Sequence, residues 1–576
     1  MTAEVRGRGS ASTCGFAACG RSRRFGFQSK SFHALLLIIG AAFLLLNCFH
    51  GNIWFDESYS VGIARFSFSD IWSISANDVH PVLFYWCLHV LYLVFGDSIL
   101  AYRLFSIAGM VALAALGISH VRRDFGWRVG ALFTLLVCFT PYIAIEGTQI
   151  RMYSWASFCV MVCFLYACRI ARASNGRVKR EEADGEEGHT GRSPVHWWAV
   201  FFLSSLASAY LHYFAAMAAF LINLFLLVFL LSHMRANIRA ILVLVLGALC
   251  QVLLYAPWLT EVARQMAVVG GTYWARFSFP LTLVEWGAYP VLTAPISFAA
   301  NGANGVALQV VVGGALALLS LAALAVIGRL VAQVVRGRRS GADDSPAHAF
   351  RMWLRKEYAA VALAGVCVYL GVFAIGWMAS MVMGSLIVYY RYLVVAIGPL
   401  LLAVALAVSR VDRKAIVAFV CVMVLIVSVL NQALLVQDSY SPENDAPLTY
   451  FEDAYAQAAA FNGGGDPLVL SADIGVQGVL AVTYPDIAET YLDWQPGNWG
   501  EAYRAYSPAL SSITSWGEAL DGFHGAFVVV GQTETLAVPR DISDIQRQWG
   551  AEIVEQRAFY RPYERTWFTI AVMRMS

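Results

Sequence analysis

The stretch "HPVLFYWCLHVLYLVFG", residues 80 to 96, decides how the chain is threaded. It is apolar and rich in aromatic residues, opens on His-Pro, and is shorter than the roughly 20 residues a membrane-crossing helix needs. Longer apolar segments lie near 33–50, 98–119, 128–145, 152–168, 197–211, 214–231, 240–257, 304–333, 357–378, 393–409 and 415–436. These predict about 11 spans, and whether 80–96 adds another sets the side of every later loop.

Short loops rich in lysine and arginine stay on the cytoplasmic side of a membrane. The basic segments are the N-terminus through Lys30, "HVRRDFGWR" at 120–128, the charged loop 169–196, "HMRANIR" at 233–239, the stretch from "RGRRS" to "RMWLRK" at 336–356, and "RVDRK" at 410–414. If 80–96 crosses, Arg122, Arg123 and every later basic loop fall outside. If it lies along the outer face as a juxtamembrane helix, all of them fall inside. The second arrangement is the expectation.

Composition agrees with a multi-pass membrane protein: 59% of the 576 residues are hydrophobic and 14% are charged. The net charge of +2 arises from basic residues placed in short segments between apolar runs, with no long basic face for a nucleic-acid duplex. The first apolar run lacks an A-x-A-like cleavage site and reads as a retained span after a basic cytoplasmic segment, 1–32. Eleven cysteines stand singly without a C-x-x-C pair, so neither a disulfide framework nor a zinc site is indicated. The loop 172–194 is dense in charge and reads as a disordered connector.

After the spans of 33–436 the character changes. Residues 437–576 carry strand-length apolar runs, "PLVLSA", "AFVVVG" and "WFTIAVM", between helix-like stretches such as "SDIQRQWGAEIVEQRAF". This predicts a small α/β domain outside the membrane. Its "NGGGDP" matches neither G-x-G-x-x-G nor a P-loop, so no nucleotide site is indicated.

With that topology Asp56, Glu57, Asp78, His80, Arg103, Glu146, Gln149, Arg151, His212 and Arg391 all fall at or near the outer surface. Ionisable groups at membrane depth are costly and tend to mark function. Taken singly each has a plain reading: Asp56 solvates a helix end, His80 caps one, and arginines extend to headgroups. In combination, a carboxylate able to accept a proton from an attacking hydroxyl stands with cations able to bind a phosphate. Partial desolvation is expected to raise the carboxylate's pKa. The set points to group transfer from a lipid phosphate.

The ordered motifs "FDESYS", "DVHPVLFYW…FGDSILAYRLFSIAGMVALAAL", "FTPYIAIEGTQIRMYSW" and "VYYRYLVVAIGPLLLA" resemble the GT-C membrane glycosyltransferases over roughly residues 33 to 430. More narrowly they resemble glycosyltransferase family 39, the protein O-mannosyltransferases and aminoarabinose transferases. The resemblance implies about 11 spans, an acidic first extracytoplasmic loop at 51–97, and outer juxtamembrane helices. It also implies transfer of a sugar from a polyprenyl phosphate to a hydroxyl of a glycolipid, protein or cell-wall polymer, with inversion, at the outer face of the plasma membrane. Carried over by position, Asp56 is the general base and Glu57 orients it or the sugar. His80 and Arg151 lie near the donor phosphate, Tyr153 closes the "RMY" motif on that side, and Arg391 in "RYL" is a second phosphate ligand. Arg103 matches a recurrent "RL" without an assigned role.

The chain departs from the family where Val82 replaces a frequent second proline and where Ile150 replaces a commonly acidic residue before Arg151. Metal-dependent GT-C relatives use acids from both outer loops, so no cofactor is expected and a divalent metal is not favoured. A transporter or flippase of a lipid-linked sugar, a ligase using a pyrophosphate-linked donor, and a non-catalytic scaffold remain as alternatives. Broken helices with midplane polar sites, which mark transporters, are not visible. Tryptophans of "YLDWQPGNWG", 491–500, suit sugar stacking or a packed loop.

Overall fold

In a computed structural model, residues 28–184, 193–272, 357–383, 387–493 and 500–575 are described. Among them, seven helices are long and apolar enough to cross a membrane: Ile99–Phe125, Tyr153–Ser174, Tyr213–Leu231, Met234–Met266, Tyr358–Met383, Arg391–Val408 and Lys414–Ser439. Three more of the predicted spans are shorter helices, Lys30–Leu45, Trp127–Phe139 and Val195–Leu211. The predicted span 304–333 and the basic stretch 336–356 lie outside the described residues.

The shortening has local causes. The segment predicted at 128–145 breaks at Thr140, whose backbone is extended before Pro141, because a proline ring disfavours helical geometry in the residue it follows. The Val195–Leu211 helix stops where His212 turns extended at φ −162°. Conversely, the Tyr153 helix runs on to Asp184 into the segment read as a disordered connector. Arginine, lysine and glutamate there are good helix formers, and high charge alone does not unwind a helix already nucleated.

The 80–96 segment forms a helix of 13 residues, Leu83–Phe95, or about 20 Å at the α-helical rise, against a hydrocarbon core of about 30 Å. Both its ends lie at one end of the bundle. Before it, His80 meets Arg151 at 3.0 Å. After it, Asp97 pairs with Arg65 at 3.0 Å, and Arg65 reaches the Val482 carbonyl of the C-terminal domain at 2.9 Å. Gly96 makes the exit turn at φ +64°.

The basic segments gather at the opposite end. Arg122 donates to the Gln28 carbonyl at 2.9 Å, Arg169 pairs with Asp124 at 2.7 Å, and Arg410 lies 4.4 Å over the Tyr358 ring. The bundle therefore has one end collecting basic loops and another collecting the acids, histidines and arginines at 50–97, 146–153, 212 and 391.

The C-terminal domain is a six-stranded mixed sheet: β1 (Leu468–Ser471), β2 (Glu489–Leu492), β3 (Leu510–Ile513), β4 (Gly525–Thr533), β5 (Glu552–Arg561) and β6 (Thr566–Met575), ordered β3-β2-β1-β4-β6-β5. The first four run parallel, and β6 is antiparallel to both neighbours. Alternate β4 residues face separate cores, Val528 and Val530 with Phe451, Phe527 and Val529 with Ile542 and Ile545. The helix-like stretch 543–559 divides instead: its helix ends at Trp549, Gly550 caps it at φ +67°, and the remainder is β5.

The domain docks on the Phe55–Ile63 helix, which carries the acidic pair. Contact is close because Gly62 has no side chain: a Cβ there would lie 2.2 Å from the Ala505 carbonyl oxygen. Impermeant thiol labelling in intact cells tests the threading. Cysteines placed singly at Asn77 and Asp97 in a cysteine-free background are expected to react from one side and one at Arg123 from the other. Asn77 and Asp97 on opposite sides would show that 80–96 crosses.

Candidate active site

The Phe55–Ile63 helix places Asp56 and Glu57 in its first turn, where the helix dipole favours negative charge. Successive positions on a helix point about 100° apart, so the two carboxylates face different surroundings.

Asp56 faces cations. Its Oδ2 lies 2.8 Å from Arg391 Nη2, while Arg151 Nη1 donates to its main-chain carbonyl at 3.2 Å. Burial disfavours the Asp56 charge, but Arg391 and Arg151 outweigh it and hold the carboxyl below its ordinary range. The expected rise from desolvation is thus reversed by the neighbouring arginines. Arg391 sits among the rings of Trp54, Tyr389 and Tyr392, with centroids 5.2 to 5.8 Å from its guanidinium.

Arg151 is held from its far side. Its Nη2 lies 3.0 Å from His80 Nε2, and His80 Nδ1 lies 3.0 Å from Asp78 Oδ2. A guanidinium has only donors, so His80 Nε2 accepts and Nδ1–H donates to Asp78. Burial and then Arg151 keep His80 below its ordinary pKa, against the pull of Asp78, so the neutral tautomer is the working form. His212 packs beside it with ring centroids 6.0 Å apart, and 5.6 Å from Tyr153. Its Nδ1 accepts from the Phe214 N–H at 3.1 Å, so its Nε2 carries the hydrogen. Among the described residues, Arg151 Nε and the hydroxyls of Tyr85 and Tyr153 are buried without a hydrogen-bond partner. Such groups are costly unless a ligand meets them.

Glu57 is fully buried and faces away. Its Oε1 accepts from the Ile150 N–H at 3.0 Å. Its Oε2 accepts from the Tyr563 hydroxyl at 2.7 Å and from Arg103 Nη2 at 3.2 Å. Arg103, equally buried, also donates to the main-chain carbonyls of His50, at 2.8 Å, and Asn52. Beside it His50 is pushed down to about 3 by burial and by the Arg103 charge, and is neutral.

The structure therefore brings Asp56, His80, Arg151, Tyr153 and Arg391 together, and places Glu57 and Arg103 behind them as a paired support. Asp78 and His212 gain defined contacts in the cluster. Tyr563 was not anticipated: it lies 506 residues from Glu57, and no local motif marks it. Among the described residues no group of three or more His, Cys, Asp and Glu side chains is placed to hold a metal ion. The tryptophans of 491–500 lie outside the described residues.

The chain matches no protein-family model, and no curated protein sequence matches it. Among solved structures, the crystal structure of ArnT from Cupriavidus metallidurans bound to undecaprenyl phosphate aligns over 94% of this chain and 98% of that one. The TM-score is 0.53 and the sequence identity 12%. The chain has the ArnT fold. ArnT in its apo state aligns over the same shares at a TM-score of 0.44 and 11% identity. That fold combines long apolar helices with a C-terminal sheet domain.

Removing one partner of a buried ion pair leaves an uncompensated charge. Arg103→Met is expected to lower stability by about 3–5 kcal/mol, measured by thermal unfolding of the detergent-solubilised protein. An unchanged melting temperature would show that Glu57 is held without Arg103.

Proposed function

We propose that the protein is a family 39 GT-C glycosyltransferase that moves a sugar from a polyprenyl-phosphate carrier to a hydroxyl acceptor, with inversion, at the extracytoplasmic face of the plasma membrane. One observation carries the reading: the Asp56 carboxylate stands against the partly exposed Arg391 and the buried Arg151, the latter aimed by a histidine. The fold is one that, in ArnT, has been crystallised with undecaprenyl phosphate. The collection of basic loops at the other end of the bundle supports the orientation.

The acceptor oxygen attacks the anomeric carbon as the bond from that carbon to the phosphate oxygen breaks. The acceptor's proton passes to Asp56, and the bonding pair leaves with the polyprenyl phosphate. Arg151 and Arg391 meet the negative charge that grows on the leaving phosphate. His80, committed on both nitrogens, aims Arg151 rather than touching the donor. When Arg391 turns from Asp56 to the incoming phosphate, the carboxylate loses a stabilising cation and becomes a stronger base. Tyr153 and His212 supply further donors toward donor oxygens. Ile150 provides no acid beside Arg151, so a divalent metal is not favoured.

The test is release of free polyprenyl phosphate from a panel of polyprenyl-phosphate sugars by purified protein with an envelope extract as acceptor. Wild type is expected to turn over one donor, with activity unchanged by EDTA. Asp56→Asn should lose about 10²–10⁴-fold, the usual contribution of a general base, while staying folded. Turnover confined to pyrophosphate-linked donors, or full activity in Asp56→Asn, would overturn the assignment.

A further inference from the structure

The turn between β5 and β6 belongs to the C-terminal domain, yet it reaches the catalytic loop. Tyr563 at its tip gives Glu57 its shortest hydrogen bond, 2.7 Å, and its ring packs 4.9 Å from that of His50. The turn is clamped from several directions. Arg561 donates to the Ile53 carbonyl at 3.2 Å, directly before the acidic helix, and to the Asn444 carbonyl at 3.1 Å. The fully buried Asn444 accepts from the Tyr563 N–H at 2.9 Å through Oδ1. Arg565 holds φ +59°, a conformation uncommon for a side-chain-bearing residue, and pairs at 2.8 Å with Asp438 at the end of the Lys414–Ser439 helix.

These contacts make a relay that ends at the arginine. The Tyr563 hydroxyl fixes one oxygen of Glu57, and the other oxygen holds the Ile150 N–H. Ile150 is the residue directly before Arg151, whose guanidinium meets the Asp56 carbonyl and His80. The Tyr563 hydroxyl also lies 3.3 Å from Arg103, so it sits at the junction of the buried pair. Strain and clamps in a turn that holds one hydroxyl on one carboxylate are more than domain docking requires, since docking is already made by Gly62 against the Ala505–Tyr506 backbone.

We propose that Tyr563 is a positioning residue for the lipid-phosphate site. Through Glu57 it fixes the 150–151 turn and hence the reach of Arg151, so the C-terminal domain sets donor affinity instead of only covering the membrane domain. The proposal rests on the functional reading above in taking Arg151 as a phosphate ligand.

The experiment is titration of full-length protein with undecaprenyl phosphate, alongside donor turnover, for wild type, Tyr563→Phe, Glu57→Gln and the double variant. Loss of a supporting hydrogen bond behind a metal ligand typically costs 10–100-fold, and a fall in affinity of about tenfold is expected for Tyr563→Phe. The double variant should bind no more weakly than Glu57→Gln alone, because both changes cut the same relay. Asn444→Ala, which removes the Oδ1 acceptor of the Tyr563 N–H and the Nδ2 bond to the Asp438 carbonyl, should reproduce the loss and serves if Tyr563→Phe fails to fold.

Unchanged affinity in Tyr563→Phe, with or without a lower melting temperature, would overturn the proposal, as would losses that multiply in the double variant. Wild type that binds undecaprenyl phosphate but turns over no donor would overturn the catalytic reading while the affinity ratios still decide the role of Tyr563. Wild type that binds none would overturn both.

Discussion

Glu57 is a carboxylate with no access to water, and the arrangement of the whole site follows from keeping it satisfied. An isolated buried charge is untenable, so the fold must bring it a counter-charge and donors. Three distant segments supply them: Arg103 from a spanning helix, the Ile150 N–H from the turn before another, and Tyr563 from the C-terminal domain. Each contact that neutralises Glu57 also locks two parts of the chain together. The helix bearing Asp56, the turn bearing Arg151 and the C-terminal domain are thereby placed by one buried acid.

The second carboxylate is treated in the opposite way. Asp56 is paired with Arg391, in a cluster where Arg151 Nε and two tyrosine hydroxyls lack partners among the described residues. The division is physical. A carboxylate with both oxygens engaged by protein donors can position but not react, whereas one balanced mainly by a guanidinium can exchange that cation for a proton during the proposed transfer. Adjacent positions at a helix N-terminus achieve this because a single residue step turns the side chain by about 100°.

Much of this was legible in the sequence. Charge bias of the short loops predicts that 80–96 lies beside the membrane, and in the fold that segment is a helix of 13 residues with Arg122, Arg169 and Arg410 gathered away from it. The motif order brought out Asp56, His80, Arg151, Tyr153 and Arg391, which the fold assembles. Apolar runs at 467–472, 526–531 and 567–573 are strands. What escaped was set by tertiary context. Glu57 was read as orienting Asp56 or the sugar, but its partners Tyr563 and the Ile150 N–H are visible only in the fold, and Arg103 acquires a role only beside it. Tyr563 carries no local signal, since its contact spans nearly the whole chain. The break at Thr140–Pro141 and the cap at Gly550 were written in the sequence, yet hydropathy overrode the proline in one case and helical composition the glycine in the other.

The central claim is that the arginines over Asp56 form a site for a lipid-borne phosphate. Saturable binding of undecaprenyl phosphate to the purified protein in nanodiscs, comparing wild type with Arg151→Gln, tests it most directly. The account predicts binding in wild type and a loss of at least about tenfold in the variant, as charge-assisted phosphate contacts contribute that much or more. Equal binding by the two proteins would contradict it.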